Sequence, residues 1–145
     1  MHNDGGRAAA GFKGTTGDCA CRAIAIATEM PYRNVYDMLI EWGRHERLTT
    51  RHPTRSHPRT GVSRPTLRKF MSHLGWVWHP TMGIGTGCRV HLRPDELPRG
   101  RLVVSVTKHI TAVINGVVHD THDPSRRGTR CVYGYWNSPL TQPVR

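Results

Sequence analysis

Asn115-Gly116 lies between two runs of alternating character, residues 110–114 and 117–121. A two-residue hairpin turn needs positive φ at both positions, which Asn and Gly adopt with the least strain, so this pair predicts both a hairpin and its register. Ile114 should face Val117, Thr111 should face Asp120, and His109 should face His122. Side chains alternate across a strand, so His109, Thr111, Val113, Val118, Asp120 and His122 share one face, and His119 points to the other. His109 and Asp120 become diagonal neighbours, about 7 to 8 Å apart at the backbone and within side-chain reach. A carboxylate so placed accepts the imidazole N–H and selects the tautomer whose second nitrogen is free for a nucleophile.

Further β-type runs at 76–78, 101–107 and 129–136 predict that the hairpin belongs to an antiparallel sheet filling the second half of the chain. The first half reads as helix. Asp18 is placed to cap a helix running to about Met30, and Ala20, Ala23, Ile24, Ala25, Ile26 and Ala27 make that helix apolar on nearly every face, hence central and buried. Pro31 restarts the chain, and Val35, Tyr36, Leu39 and Ile40 fall at helical spacing up to Gly43. Ser63 and Pro65 open a third helix with Leu67, Phe70, Met71 and Leu74 on one side, ending at Gly75. Helices followed by an antiparallel sheet predict an α+β domain. The 145 residues suffice for one domain, 1–145, with a core that needs neither disulfide nor structural metal. Residues 81–88 are glycine-rich but lack the lysine and helix of a phosphate loop.

The net charge of +11 is concentrated: between residues 44 and 69, eight Lys/Arg stand against Glu46 alone. The stretch 47–61 mixes Thr, His, Pro and Arg without periodicity, so a basic, flexible, exposed loop is expected over about 44–61. Such a charge suits a polyanion, and Arg51, Arg55 and Arg59 are candidate contacts to nucleic acid or an acidic protein in a basic binding module without turnover. Aromatic residues do not interleave with the basic stretch, unlike in most single-strand binders. No apolar run approaches the ~18 residues of a membrane span, and the first residues lack a secretory core. No membrane association and a cytoplasmic location are therefore expected, with Cys19, Cys21, Cys88 and Cys131 as free thiols and Cys88 and Cys131 packed as small hydrophobes.

Cys19 falls in the first turn of the apolar helix, after Gly14, Thr15, Thr16, Gly17 and Asp18, where unpaired N–H groups and the helix dipole favour a thiolate. Cys21 lies about 200° around the same helix and should face the core. His109, His119, Asp120, His122 and Asp123 also permit a metal reading, in which His109, Asp120 and His122 bind with Cys19 as a fourth ligand. Nucleophilic chemistry by Cys19, His109 and Asp120 is the stronger expectation, and it requires no metal and no cofactor.

The succession GDCACRAIAIA, KHITAVING and VVHDT resembles the papain-like cysteine peptidase superfamily. That resemblance implies a papain-like fold, with the cysteine at the start of a buried helix packed on the sheet. It also implies a thiol-dependent hydrolase or acyltransferase that acts on an amide or isopeptide bond of a protein or peptide. Cys19 would be the acylated nucleophile, His109 the general base and then acid, and Asp120 the orienting group. Members of the superfamily usually carry an oxyanion-binding glutamine shortly before the cysteine. Here the only glutamine is Gln142 and Lys13 occupies that stretch, so the Cys19 N–H, aided by Lys13 or the hydroxyl of Thr15 or Thr16, is expected to substitute. Arg126, Arg127 and Arg130 are expected to line the substrate cleft beside Asp120 and to favour an acidic or carboxylate-bearing substrate. The whole chain also resembles a group of small proteins of bacteria and their phages, through DGGRAAAGFKG and DPSRRGTRCVYGYW, which implies a phage-associated role in a host cytoplasm.

Overall fold

The computed structural model describes residues 1–13, 17–51, 53–83 and 85–138, so Thr15, Thr16 and Gln142 lie outside the described residues. Three helices, α1 (Cys19–Thr28), α2 (Tyr32–Arg44) and α3 (Arg64–His73), come first. Five strands complete the chain: β1 (Val77–Pro80), β2 (Arg101–Val106), β3 (His109–Ile114), β4 (Val117–His119) and β5 (Gly134–Asn137). They form one antiparallel sheet in the order β1-β5-β2-β3-β4, so the α+β expectation holds.

Both faces of the sheet are covered. On one side Ile24, Val35, Leu39, Leu67 and Phe70 pack against Val103, Ala112 and Trp136. On the other, Leu92 and Leu97 close over Leu102, Val104, Val106, Val113 and Val132. This explains why β2 reads as a nearly continuous apolar run instead of alternating. Helix α1 sits on β3 and β2, as its all-round apolar sequence requires, and stops where Glu29 takes φ 62°. At α3 the Ser63 hydroxyl accepts the Thr66 N–H, with a proline in the first turn, as the sequence foretold.

The hairpin register is the expected one, with Ile114 opposite Val117, Val113 opposite Val118 and Ala112 opposite His119. Asn115 and Gly116 have φ of 49° and 81°, and the Asn115 side chain accepts the Gly100 N–H at 2.8 Å. Beyond His119 the outer edge of β4 pairs with the start of the chain: Asp120 N–H donates to Met1 O at 3.1 Å, and Asn3 N–H donates to Asp120 O at 2.8 Å.

Two expectations are corrected. The run 129–136 is not one strand, because Arg126 and Arg127 take φ of 53° and 59° in a turn that sends the chain past residues 90–92 before β5 begins. Gly134 opens β5 because the Trp78 ring lies 2.3 Å from where a Cβ would be. Cys88 and Cys131 form a disulfide across 43 residues, brought together by the bridge pairing of His91 with Cys131, whereas Cys19 and Cys21 are free thiols. The second half of the basic loop makes contacts with the end of α2 and the start of α3. The Glu46 carboxylate accepts hydrogen bonds from Ser56, Ser63 and Thr66, and Arg55 donates to the carbonyls of Gly43, Arg44 and Glu46 at the end of α2.

This packing depends on close backbone contact. A Cβ on Gly43 would lie 2.3 Å from the Ser56 carbonyl oxygen. Gly43→Ala should therefore destabilise the fold by about 1–3 kcal/mol, even though alanine is the better helix former by about 1 kcal/mol. Denaturant unfolding checks this, and an unchanged or raised midpoint would contradict the packing. Among the described residues, no helix is long and apolar enough to cross a membrane.

Candidate active site

Cys19 is the first residue of α1 and is partly exposed. Burial pushes its thiol up, but hydrogen bonds from the His109 side chain and the Ile110 N–H, with the charges of His109 and Arg22, outweigh this and lower its pKa. The hairpin supplies the Ile110 donor. With Ile114/Val117 and Ala112/His119 as the hydrogen-bonded pairs, the next N–H directed the same way is that of Ile110, opposite residue 121. The ladder has ended there, since Thr121 N–H donates to Asp120 Oδ1 at 2.7 Å, which leaves the Ile110 N–H to act on the thiol and lower its pKa. Cys21 faces inward as expected, fully buried, with its thiol pushed up to about 12 by burial and by the Asp18 charge. It is the inert one of the two.

His109 and Asp120 meet as the register predicts, with His109 Nε2 2.7 Å from Asp120 Oδ2. Thr111 donates its hydroxyl to the same oxygen at 2.8 Å, and Arg22 Nη2 reaches Asp120 Oδ1 at 3.3 Å. Burial would raise the Asp120 pKa, but the hydrogen bonds from His109 and Thr111 hold it well below the usual carboxylate range. Burial likewise disfavours the charged imidazole, yet Asp120 and the Cys19 sulfur together push His109 up to about 9. With Nε2 committed to Asp120, Nδ1 is the nitrogen left for the thiol. The geometry and these shifts favour a thiolate–imidazolium pair oriented by a buried carboxylate.

Asp18 does not cap α1, contrary to expectation. Only 2% exposed, its carboxylate instead receives the Tyr32 hydroxyl at 2.7 Å, Arg7 Nε at 3.3 Å, and Arg22 Nη1. These partners hold the Asp18 charge in a buried network with two arginines. Arg22 thereby bridges two buried carboxylates, Asp18 and Asp120. Sequence reasoning passed over it, although an arginine inside an otherwise apolar helix, four residues after an aspartate, was a visible signal.

The ligand atoms of His109, Asp120 and His122 lie within 4.8 Å of one another. Asp120 Oδ2 already accepts from His109 and Thr111, Oδ1 from Thr121 and Arg22, and the Arg22 guanidinium repels a cation, so this group does not fit a metal. His122 is exposed, its ring 5.0 Å from that of His109, and His119 points away toward Asn3.

Of the three cleft arginines expected from the sequence, only Arg127 lines space beside Asp120. That space is a cavity of about 730 Å³, also lined by Arg93, Asp95 and His122, and neither Cys19 nor His109 opens into it. Arg126 is committed to the turn, where its carbonyl accepts from Thr129. Arg130 points the other way, donating to the carbonyls of Thr107 and Pro124, and so braces the β2–β3 turn that carries His109. Lys13 is exposed, and its carbonyl accepts from Arg59 at 3.5 Å. No protein family matches the chain, and comparison with curated proteins and with solved structures also gives no match.

Proposed function

We propose that this protein is a thiol-dependent hydrolase or acyltransferase acting on an amide or isopeptide bond, with Cys19 as nucleophile, His109 as base and acid, and Asp120 as orienting group in a papain-like arrangement. The observation that carries the reading is His109, which is held at 2.7 Å by a buried carboxylate and whose interaction with Cys19 raises its own pKa and lowers that of the thiol. The Cys19 thiolate attacks the carbonyl carbon, and the charge on oxygen is met by the Cys19 N–H at the start of α1. As the C–N bond breaks, the His109 Nδ1 proton passes to the leaving amine, and a thioester remains. Water or an amine then attacks the thioester, His109 takes its proton, and the thiolate leaves.

A purely binding role for the basic segment has less support. Arg55, one of its three candidate contacts, already donates to three carbonyls. The acyl reading is tested with a small thioester acyl donor, followed by intact mass and peptide mapping. One acyl group per chain on Cys19, absent in Cys19→Ser, is the expected result. No adduct, or an adduct that survives in Cys19→Ser, would sink the reading.

A further inference from the structure

We propose that Cys88, His91 and Cys131, once their disulfide is reduced, form a zinc-binding site remote from Cys19, with Glu96 positioning His91 and solvent completing the fourth position. The potential ligand atoms of these three residues lie within 4.8 Å of one another. The set combines two sulfurs and an imidazole, the donors that zinc prefers, with Cys and His three residues apart on one loop and the second Cys on a facing segment. Zinc–sulfur and zinc–nitrogen bonds of about 2.3 and 2.05 Å at tetrahedral angles place sulfur and nitrogen about 3.5 Å apart. Cys88 Sγ and His91 Nε2 are separated by 3.5 Å.

The surroundings also have the form of a ligand shell. His91 Nδ1 lies 3.2 Å from Glu96 Oε1, which fixes the tautomer that presents the Nε2 lone pair to the sulfurs. The other Glu96 oxygen is held by Arg93 at 3.5 Å. The backbone sets the facing pair, since Leu92 N–H donates to Arg130 O and Val132 N–H to Val90 O, both at 2.8 Å, around the His91–Cys131 bridge.

Cys88 is exposed, so a thiol reductant can reach the bond. Two reductant thiols give two electrons and two protons to the disulfide and become a disulfide themselves. Zinc then displaces both protons, binds the two thiolates, and accepts the neutral His91 Nε2.

The test is cobalt titration of protein reduced with a phosphine under nitrogen, followed by zinc displacement. One cobalt per chain with a thiolate-to-cobalt charge-transfer band, displaced by one zinc, is expected, and the oxidised protein should not bind. His91→Ala keeps both cysteines and the disulfide, so it separates ligation from misfolding. It should weaken binding about 100-fold, and Glu96→Gln about 10-fold, while His122→Ala and Cys19→Ser leave it unchanged. Absence of the band in the reduced wild type, equal binding after oxidation, persistence in His91→Ala, or loss in His122→Ala would each overturn the proposal.

Discussion

Replacing His109 with alanine should slow the alkylation of Cys19 by iodoacetamide at pH 6 by about 10- to 100-fold. In the wild type, the imidazole stays protonated up to about pH 9 and its charge lowers the thiol pKa, so the thiolate survives to lower pH than in an ordinary cysteine. Without His109, burial and the remaining donors act on an ordinary cysteine. A thiol of pKa about 8.5 is only about 0.3% ionised at pH 6, and it loses a further factor of ten with each unit. A more basic thiolate is intrinsically more nucleophilic, with a Brønsted slope of about 0.4–0.5, and this returns part of the loss. The shape of the profile is therefore as informative as the ratio. Wild-type reactivity should begin to fall at a lower pH than that of the variant, which should drop tenfold per unit below about pH 8. Reading each site by mass spectrometry removes interference, because Cys21 is fully buried and Cys88 and Cys131 are joined. Superimposable profiles in the two proteins would show that no ion pair exists.

The pairing behind that prediction was legible because it is local. A single Asn-Gly turn set the register of β3 and β4, and the register alone placed Asp120 beside His109. The apolar run from Ala20 to Ala27 likewise announced a buried helix with Cys19 at its start. What stayed hidden depends on partners far apart in the chain, which leave no periodicity to read. Cys88 and Cys131 are 43 residues apart, and Glu46 gathers hydroxyls from Ser56, Ser63 and Thr66 out of a segment that looks like loose basic loop. Asp18 shows the same effect at a helix start. Its local chemistry favours a cap, but Arg7, Arg22 and Tyr32 offer a buried carboxylate more than a half-exposed N–H does. Arg130 was read by charge as a substrate contact, yet two backbone carbonyls claim its guanidinium.

Arg22 is where the hidden network and the candidate site join, and Arg22→Met isolates its contribution. The substitution keeps most of the side-chain bulk but leaves Asp18 and Asp120, 2% and 4% exposed, without the cation that bridges them. Removing one partner of a buried ion pair costs about 3–5 kcal/mol, because the remaining charge stays desolvated. For a domain of this size the melting temperature should drop by roughly 10 °C or more. Asp18→Asn in the same chain removes one of the stranded charges, so the double variant should be more stable than the sum of the two single effects. Reactivity should respond differently from stability. Asp120 keeps His109 and Thr111, and Arg22 acts on the Cys19 thiol only through its charge, last in the order of influences, so the alkylation profile should shift upward slightly and retain its His109 dependence. A loss below about 1 kcal/mol would show that Arg7 and Tyr32 alone satisfy Asp18, contrary to the bridging role. A collapse of the Cys19 profile to that of His109→Ala, with stability intact, would instead make Arg22 a direct participant in ionising the thiol.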